Sequence, residues 1–265
     1  RDLVRSRGLG DVYKRQMVSI LAMVVGCFSK AVYIPFLALY WLMPKDKFYS
    51  RRQKNLFKAG IFVLLILMFA SFILPLIGNV TSGAEVGDYR GGDTSQTSQL
   101  SMILGYPLTY TGVLLKSLGT TFASYFIGSK VLANFAYRGI YDGIGYFVVL
   151  LTMLFTFVTD FGMTEKTYDA QMKRKILMMK IWNAVLIFGT ACLVWTALYL
   201  DFTPVGSMVI NGVSPRYYLP LIFPLSLTFI NQKVRCSMKL ENYQSLIAFL
   251  MLIGTGISIY CLMLA

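Results

Sequence analysis

The chain has 265 residues, 56% of them hydrophobic and 14% charged, with a mean hydropathy of +0.62, more apolar surface than one soluble core of this size can bury. The formal charge of +13 does not make a nucleic-acid face, because Lys and Arg fall in short blocks between apolar runs, as cytoplasmic loops do. Soluble-enzyme and DNA-binding classes are thereby excluded, and an all-α, polytopic transmembrane helical bundle is expected, with six or seven membrane segments.

Residues 1–16, RDLVRSRGLGDVYKRQ, are strongly polar and end abruptly at the apolar run that begins with Met17. Asp11–Gln16, DVYKRQ, is also what GAT GTG TAT AAG AGA CAG encodes, a sequence resembling a transposon adapter used in sequencing libraries. Residues 1–16 are therefore expected to be an assembly artefact, the other reading being a genuine basic tail. Without them, 20 basic residues face 10 acidic ones, a net +10. Residues 17–265 are then one helical membrane domain, the C-terminal part of a longer protein.

Met17–Met43 is long enough to cross the hydrocarbon core once, but Lys30 interrupts it. Either one tilted helix carries Lys30 towards the bundle, or two short segments turn at Ser29–Lys30 with Pro35 starting the second; the broken version is favoured. Pro44–Lys58 carries six basic residues against Asp46 and reads as cytoplasmic. Ala59–Val80 runs outward, with a kink at Pro75. Thr81–Tyr106, rich in Gly, Ser and Thr, reads as an extracytoplasmic loop.

Pro107–Gly128 reads as an amphipathic helix lying in the outer interface, with Leu108, Leu115, Leu118, Phe122 and Tyr125 on its apolar face. Ser129–Gly145 completes the outer loop region, 81–145. Tyr146–Gly162 returns, the basic loop 163–180 is cytoplasmic, and Ile181–Leu200 goes out. The turn 201–216 is external, Tyr217–Ile230 comes back, loop 231–243 is the third basic cytoplasmic one, and Ser245–Leu264 exits. Basic and less basic loops alternate, as the positive-inside rule requires.

Chemistry is less legible than topology. Histidine is absent, so imidazole acid–base catalysis is excluded. Cys27, Cys192, Cys236 and Cys261 lack metal-ligand spacing and read as free thiols. The expected external side gathers Glu85, Asp88, Arg90, Asp93, Arg138, Asp142, Asp201 and Arg216. Such a set could bind an anionic or sugar-bearing substrate, with a carboxylate as base or metal ligand and an arginine as phosphate fork; a solvated loop needs charges as well. Asp88 and Arg90, two apart in a Gly-rich loop, can point into one pocket. Arg216 is held between Pro215 and Pro220, with Tyr217 and Tyr218 as an aromatic anchor at the membrane edge; it either snorkels to headgroups or binds a substrate phosphate. Lys30 has the same two readings, a snorkelling lysine or an anion contact.

Ser29–Pro35, SKAVYIP, and Gly212–Pro220, GVSPRYYLP, resemble two stretches of the bacterial membrane proteins grouped as domain-of-unknown-function 2142. Those proteins show a Lys-x-x-Tyr-like segment before a basic loop, and later a Gly-Val-x-Gly-Arg-Tyr-like turn followed by Leu-Pro; Pro215 stands here where glycine is commoner. The Asp88–Arg90 loop and the Tyr106–Pro107 junction also fit, and the resemblance covers nearly everything from Met17 onward. The family looks related to the glycosyltransferase-C superfamily, membrane enzymes that move sugars from polyprenyl-phosphate donors.

The resemblance implies a bacterial inner-membrane protein acting on polyprenyl-phosphate-linked sugars in envelope polysaccharide or glycolipid assembly. Lys30 and Arg216 would contact the lipid phosphate, with Tyr217 a further substrate-binding residue, while Asp88, the candidate catalytic carboxylate, and Arg90 would meet the sugar or a metal-bound diphosphate. Its usual catalytic carboxylate lies in the first external loop, expected here upstream of Met17. The implied partners are membrane lipid and a lipid-linked sugar, with no nucleic acid; no resident cofactor is evident, a divalent metal and the polyprenyl-phosphate sugar donor being the candidates. A lipid-linked sugar transporter or flippase is the competing reading, separated by sugar turnover without vectorial movement. A non-catalytic membrane protein would tolerate loss of every external charge.

Overall fold

A computed structural model describes residues 2–28, 30–82, 93–135, 139–159, 170–229 and 236–264. The described chain is helical apart from turns and one isolated antiparallel bridge, Asn134 to Ile140. In order, α1 (Asp2–Phe28) leads to a 3₁₀ segment (Ala31–Leu42) and a 3₁₀ turn (Lys45–Lys47). Then come α2 (Arg51–Ser82), α3 (Gln96–Gly105), α4 (Pro107–Phe126), α5 (Ser129–Leu132), α6 (Ile144–Thr159) and α7 (Ala170–Phe202). A 3₁₀ turn (Pro215–Tyr218), α8 (Leu219–Thr228) and α9 (Leu240–Leu264) complete the described elements.

Among the described residues three stretches are long and apolar enough to cross a membrane: Arg51–Pro75, Lys173–Phe202 and Leu240–Leu264. The most apolar windows of the first and last are only 11% buried, so their remaining apolar side chains need a hydrocarbon solvent. Ala31–Leu42 and Ile144–Thr159 are shorter apolar helices.

Several boundaries depart from the sequence reading for identifiable reasons. α1 runs from Asp2 through the polar stretch to Phe28, without a start at Met17. The expected break at Lys30 is present: Lys30 is extended, at φ −153° and ψ 104°, and Pro35 lies inside the second segment, not at its start. The basic loop 44–58 is largely helical, because Lys and Arg are good helix formers and Ser50 caps α2. Ser50 Oγ accepts from the Gln53 amide at 3.2 Å, while Gln53 Oε1 accepts from the Tyr49 amide at 3.1 Å, close to a capping box.

α7 likewise begins eleven residues before Ile181, in basic sequence. The polar stretch Thr81–Tyr106 contains α3, capped by Ser95, whose hydroxyl accepts from the Ser98 amide. The expected crossing Tyr217–Ile230 is short: Pro215–Thr228 rises about 23 Å, against a hydrocarbon core of about 30 Å.

Two compact units divide the chain. The first comprises Arg1–Tyr110 and Phe188–Gly212. In it the Ala31–Leu42 segment packs against both α1 and α2, burying Ile34, Phe36, Leu37 and Ala38. Ile61, Leu65 and Met68 form the matching buried stripe on α2. Ser19 and Tyr40 share a hydrogen bond.

The second unit comprises Thr111–Ile187 and Val213–Ala265, and its most extensive pairing is α6 against α9. Small residues make that approach possible: a Cβ on Gly145 would lie 2.5 Å from the Gly254 carbonyl oxygen, and against the Ser258 hydroxyl. Thr159 and Tyr243 join the other end of the pair by a 2.7 Å hydrogen bond. Asn183 of α7 donates to the Pro224 carbonyl of α8.

α4 forms as expected, with Pro107 at its first position. Its apolar residues divide differently: Tyr110, Val113, Leu114, Leu118 and Phe126 are buried, whereas Leu108, Leu115 and Phe122 form an exposed stripe at seven-residue steps. The single apolar face of the sequence reading is thus two stripes, one for protein and one left for the membrane interface.

Candidate functional site

The Arg216 turn is built by local constraints. Upstream, Gly212 holds φ +79° with the Phe202 ring where a Cβ would stand, so the chain can turn there only as glycine. Within the second unit, Val213 O accepts from Tyr125 Oη at 3.2 Å. Burial pushes the Tyr125 phenol above its ordinary pKa, so it stays a neutral donor. Ser214 is extended, at φ −89° and ψ 135°, Pro215 pre-sets the next turn, and the Tyr217 amide closes it on Ser214 O at 3.0 Å. Tyr218, 1% exposed, drives edge-on into Phe126 at 4.7 Å and Tyr125 at 5.5 Å between ring centroids.

Anchored by Tyr218, the turn presents Arg216 to the exterior, and Arg216 Nε donates to Ser214 Oγ at 3.3 Å. That bond uses one of five guanidinium donors and orients the fork, leaving the terminal nitrogens for a bidentate anion. Three residues on, Leu219 opens a groove of about 480 Å³ formed by one face of α8 (Leu219, Ile222, Phe223, Ser226, Leu227) with Thr156 and Phe157 of α6. Its two hydroxyls are already spent, Thr156 on Met153 O at 2.7 Å and Ser226 on Phe223 O at 2.6 Å. The lining therefore offers a ligand hydrocarbon contact and no free hydroxyl donor. A cation beside the end of an apolar trough suits a molecule with an anionic head and a hydrocarbon tail.

Tyr217 is half-buried beside Arg216, and Lys30 is exposed at the α1 break in the first unit, whereas Arg216 belongs to the second. Asp88 and Arg90, with Glu85 and Arg138, lie outside the described residues. Among the described residues no group of three or more Cys, Asp or Glu gathers to hold a metal ion, so no metal-dependent step is derived.

A polar seam in the first unit escaped the sequence reading. Gln96 Nε2 donates to Asp201 Oδ1 at 2.6 Å, so Asp201, expected among the charges of the external side, is the acceptor of a tertiary bond. Gln99, fully buried, donates to the Thr203 and Pro204 carbonyls at 2.9 and 3.0 Å, and the Val205 amide donates to Asp93 O at 3.2 Å. The only sequence signal was two glutamines three apart in a polar segment. Gln99→Leu leaves two carbonyls without their donor and is expected to cost about 2 kcal/mol, read as a lower melting temperature of the detergent-solubilised protein.

An all-helical chain whose long apolar helices leave most of their surface uncovered by protein is a membrane-embedded protein. More particularly, the family described as predicted membrane protein (DUF2142) matches residues 7–225, and the chain belongs to it. Comparison with the curated proteins and with the solved structures returned no match.

Proposed function

We propose that this membrane protein binds a polyprenyl-phosphate-linked sugar and acts as a glycosyltransferase-C-like enzyme of the bacterial inner membrane, in envelope polysaccharide or glycolipid assembly. The observation that carries the reading is the exposed Arg216 guanidinium, oriented by Ser214, three residues before an apolar groove whose hydroxyls are internally paired. In this reading Arg216 forks the lipid phosphate, Tyr217 flanks it and the α6–α8 groove takes the first prenyl units, while Lys30 is assigned to substrate on the family resemblance alone. Asp88 and Arg90 are assigned to the sugar, Asp88 as the candidate base, on their sequence pattern and the family resemblance alone.

The multi-pass arrangement belongs to the same proposal, with 44–58, 163–180 and 231–243 cytoplasmic and 81–145 and 201–216 outside. The test is sugar transfer from a polyprenyl-phosphate donor by the purified full-length gene product. Arg216→Ala is expected to lower kcat/KM by about 10- to 100-fold, the worth of a charge-assisted hydrogen bond, with Arg216→Lys intermediate. Unchanged transfer by both Arg216→Ala and Asp88→Ala would remove these assignments.

A further inference from the structure

The basic stretch that opens α2 is more organised than a solvated loop. Arg51, Lys54 and Lys58 recur at the spacing that continues the buried stripe Ile61, Leu65 and Met68, so they lie on the face of α2 that turns inward further along the helix. Lys54 and Lys58 are half-buried there. The turn Lys45–Lys47 is pinned over the same end of the helix, because Phe48 is buried with its ring 5.2 Å from that of Phe57. Lys45 and Lys58 lie close enough to Lys54 for their charges to repel it.

No acidic residue stands in the first turn of α2, so the cations crowd the positive end of the helix dipole, an arrangement that costs energy unless an anion joins it. The depth of this cluster is marked independently. Trp41 Nε1 donates to Lys58 O at 3.3 Å and the indole stacks on Phe62 at 6.2 Å, a residue pairing characteristic of the boundary between headgroups and hydrocarbon. Below that level α2 exposes Phe62, Val63, Ile66 and Leu67, which suits acyl chains.

We propose that Lys45, Arg51, Lys54 and Lys58, beside Trp41, form a binding site for the phosphodiester headgroup of an anionic phospholipid. A free phosphate would not need the tryptophan-marked depth or the apolar wall beneath, and an acidic protein segment would not use that wall. The site belongs to the first unit and the Arg216 turn to the second, and the site stands whether or not that turn binds a lipid-linked sugar.

Native mass spectrometry of the full chain in detergent tests it, with phosphatidylglycerol and phosphatidylcholine of the same acyl chains as the two probes. At about 1 kcal/mol per cation, the four together are expected to make wild type retain phosphatidylglycerol on the order of 1,000-fold better. Lys45→Gln/Lys54→Gln/Lys58→Gln is expected to bring the ratio down to about 5-fold, the share left to Arg51, and the corresponding triple arginine variant to keep the wild-type preference. High salt applied to wild type should erase the preference without any substitution, which covers the case of a glutamine variant that does not fold. Equal retention of the two lipids by wild type, a preference unchanged in the glutamine variant or in high salt, or saturable displacement of phosphatidylglycerol by inorganic phosphate would overturn the proposal.

Discussion

Gly145→Leu is expected to separate α6 from α9 and to lower stability by about 3 kcal/mol or more, the upper end for forcing volume into a packed contact. The reason is backbone against backbone: the new side chain meets the Gly254 carbonyl oxygen at 2.5 Å and the Ser258 amide nitrogen at 2.8 Å, neither of which can rotate away. Gly254→Leu should act from the opposite side, since its Cβ would lie 2.9 Å from Val149 Cγ2 and 3.0 Å from the Gly145 carbonyl oxygen. Gly256→Leu, two residues further along α9 and facing open space, is the internal control, and leucine there is expected to be neutral or slightly stabilising. Thermal unfolding in detergent reads all three. Equal loss at Gly145 and Gly256 would mean that the α6–α9 pair is not held by this close approach.

Tyr218→Ala is expected to cost about 4 kcal/mol, as truncation of a buried aromatic does, and to remove with it the lipid-phosphate contact proposed for Arg216. Tyr218 packs on Phe126 and Tyr125 and so fixes the turn from which Arg216 projects. The comparison that isolates this role is Arg216→Ala, which changes an exposed side chain and should leave the melting temperature nearly unchanged while weakening binding. Tyr218→Ala should lose both. If Tyr218→Ala melts normally, the ring contacts are not what positions Arg216.

Much of this architecture can be read from hydropathy, because bilayer-spanning helices must be long and apolar whatever they pack against. α9 ends at Leu264 as expected, though it begins at Leu240 and not at Ser245, and α4 starts at Pro107 for the local reason that proline suits a first helical turn. The break at Lys30 was legible from one charge in an apolar run. α3 was not, since QTSQLSMILG is short and polar, and its helix is held by Ser95 and by the Gln99 bonds to Thr203 and Pro204. Those partners lie more than a hundred residues away, where no local pattern can show them.

The ends of α2 and α7 were misplaced for the opposite reason: Lys and Arg mark a loop by charge yet favour helix by propensity, and here the helices run on past the apolar stretch. At the Arg216 turn the sequence supplied the arginine and its two tyrosines. It could not supply the Ser214 bond that aims the guanidinium, nor the α6 wall that turns one face of α8 into a groove.

Photolabelling the full chain in lipid nanodiscs with a polyprenyl-phosphate probe tests whether the Arg216 turn and the groove at Leu219 hold a lipid phosphate with its chain, as proposed. Label is expected in Leu219–Leu227 and at Thr156 and Phe157. Unlabelled polyprenyl phosphate should compete for it and polyprenyl alcohol should not, and Arg216→Ala should sharply reduce it. Label spread evenly over the lipid-facing surfaces of α2 and α9, or displaced equally by the alcohol, would contradict the claim.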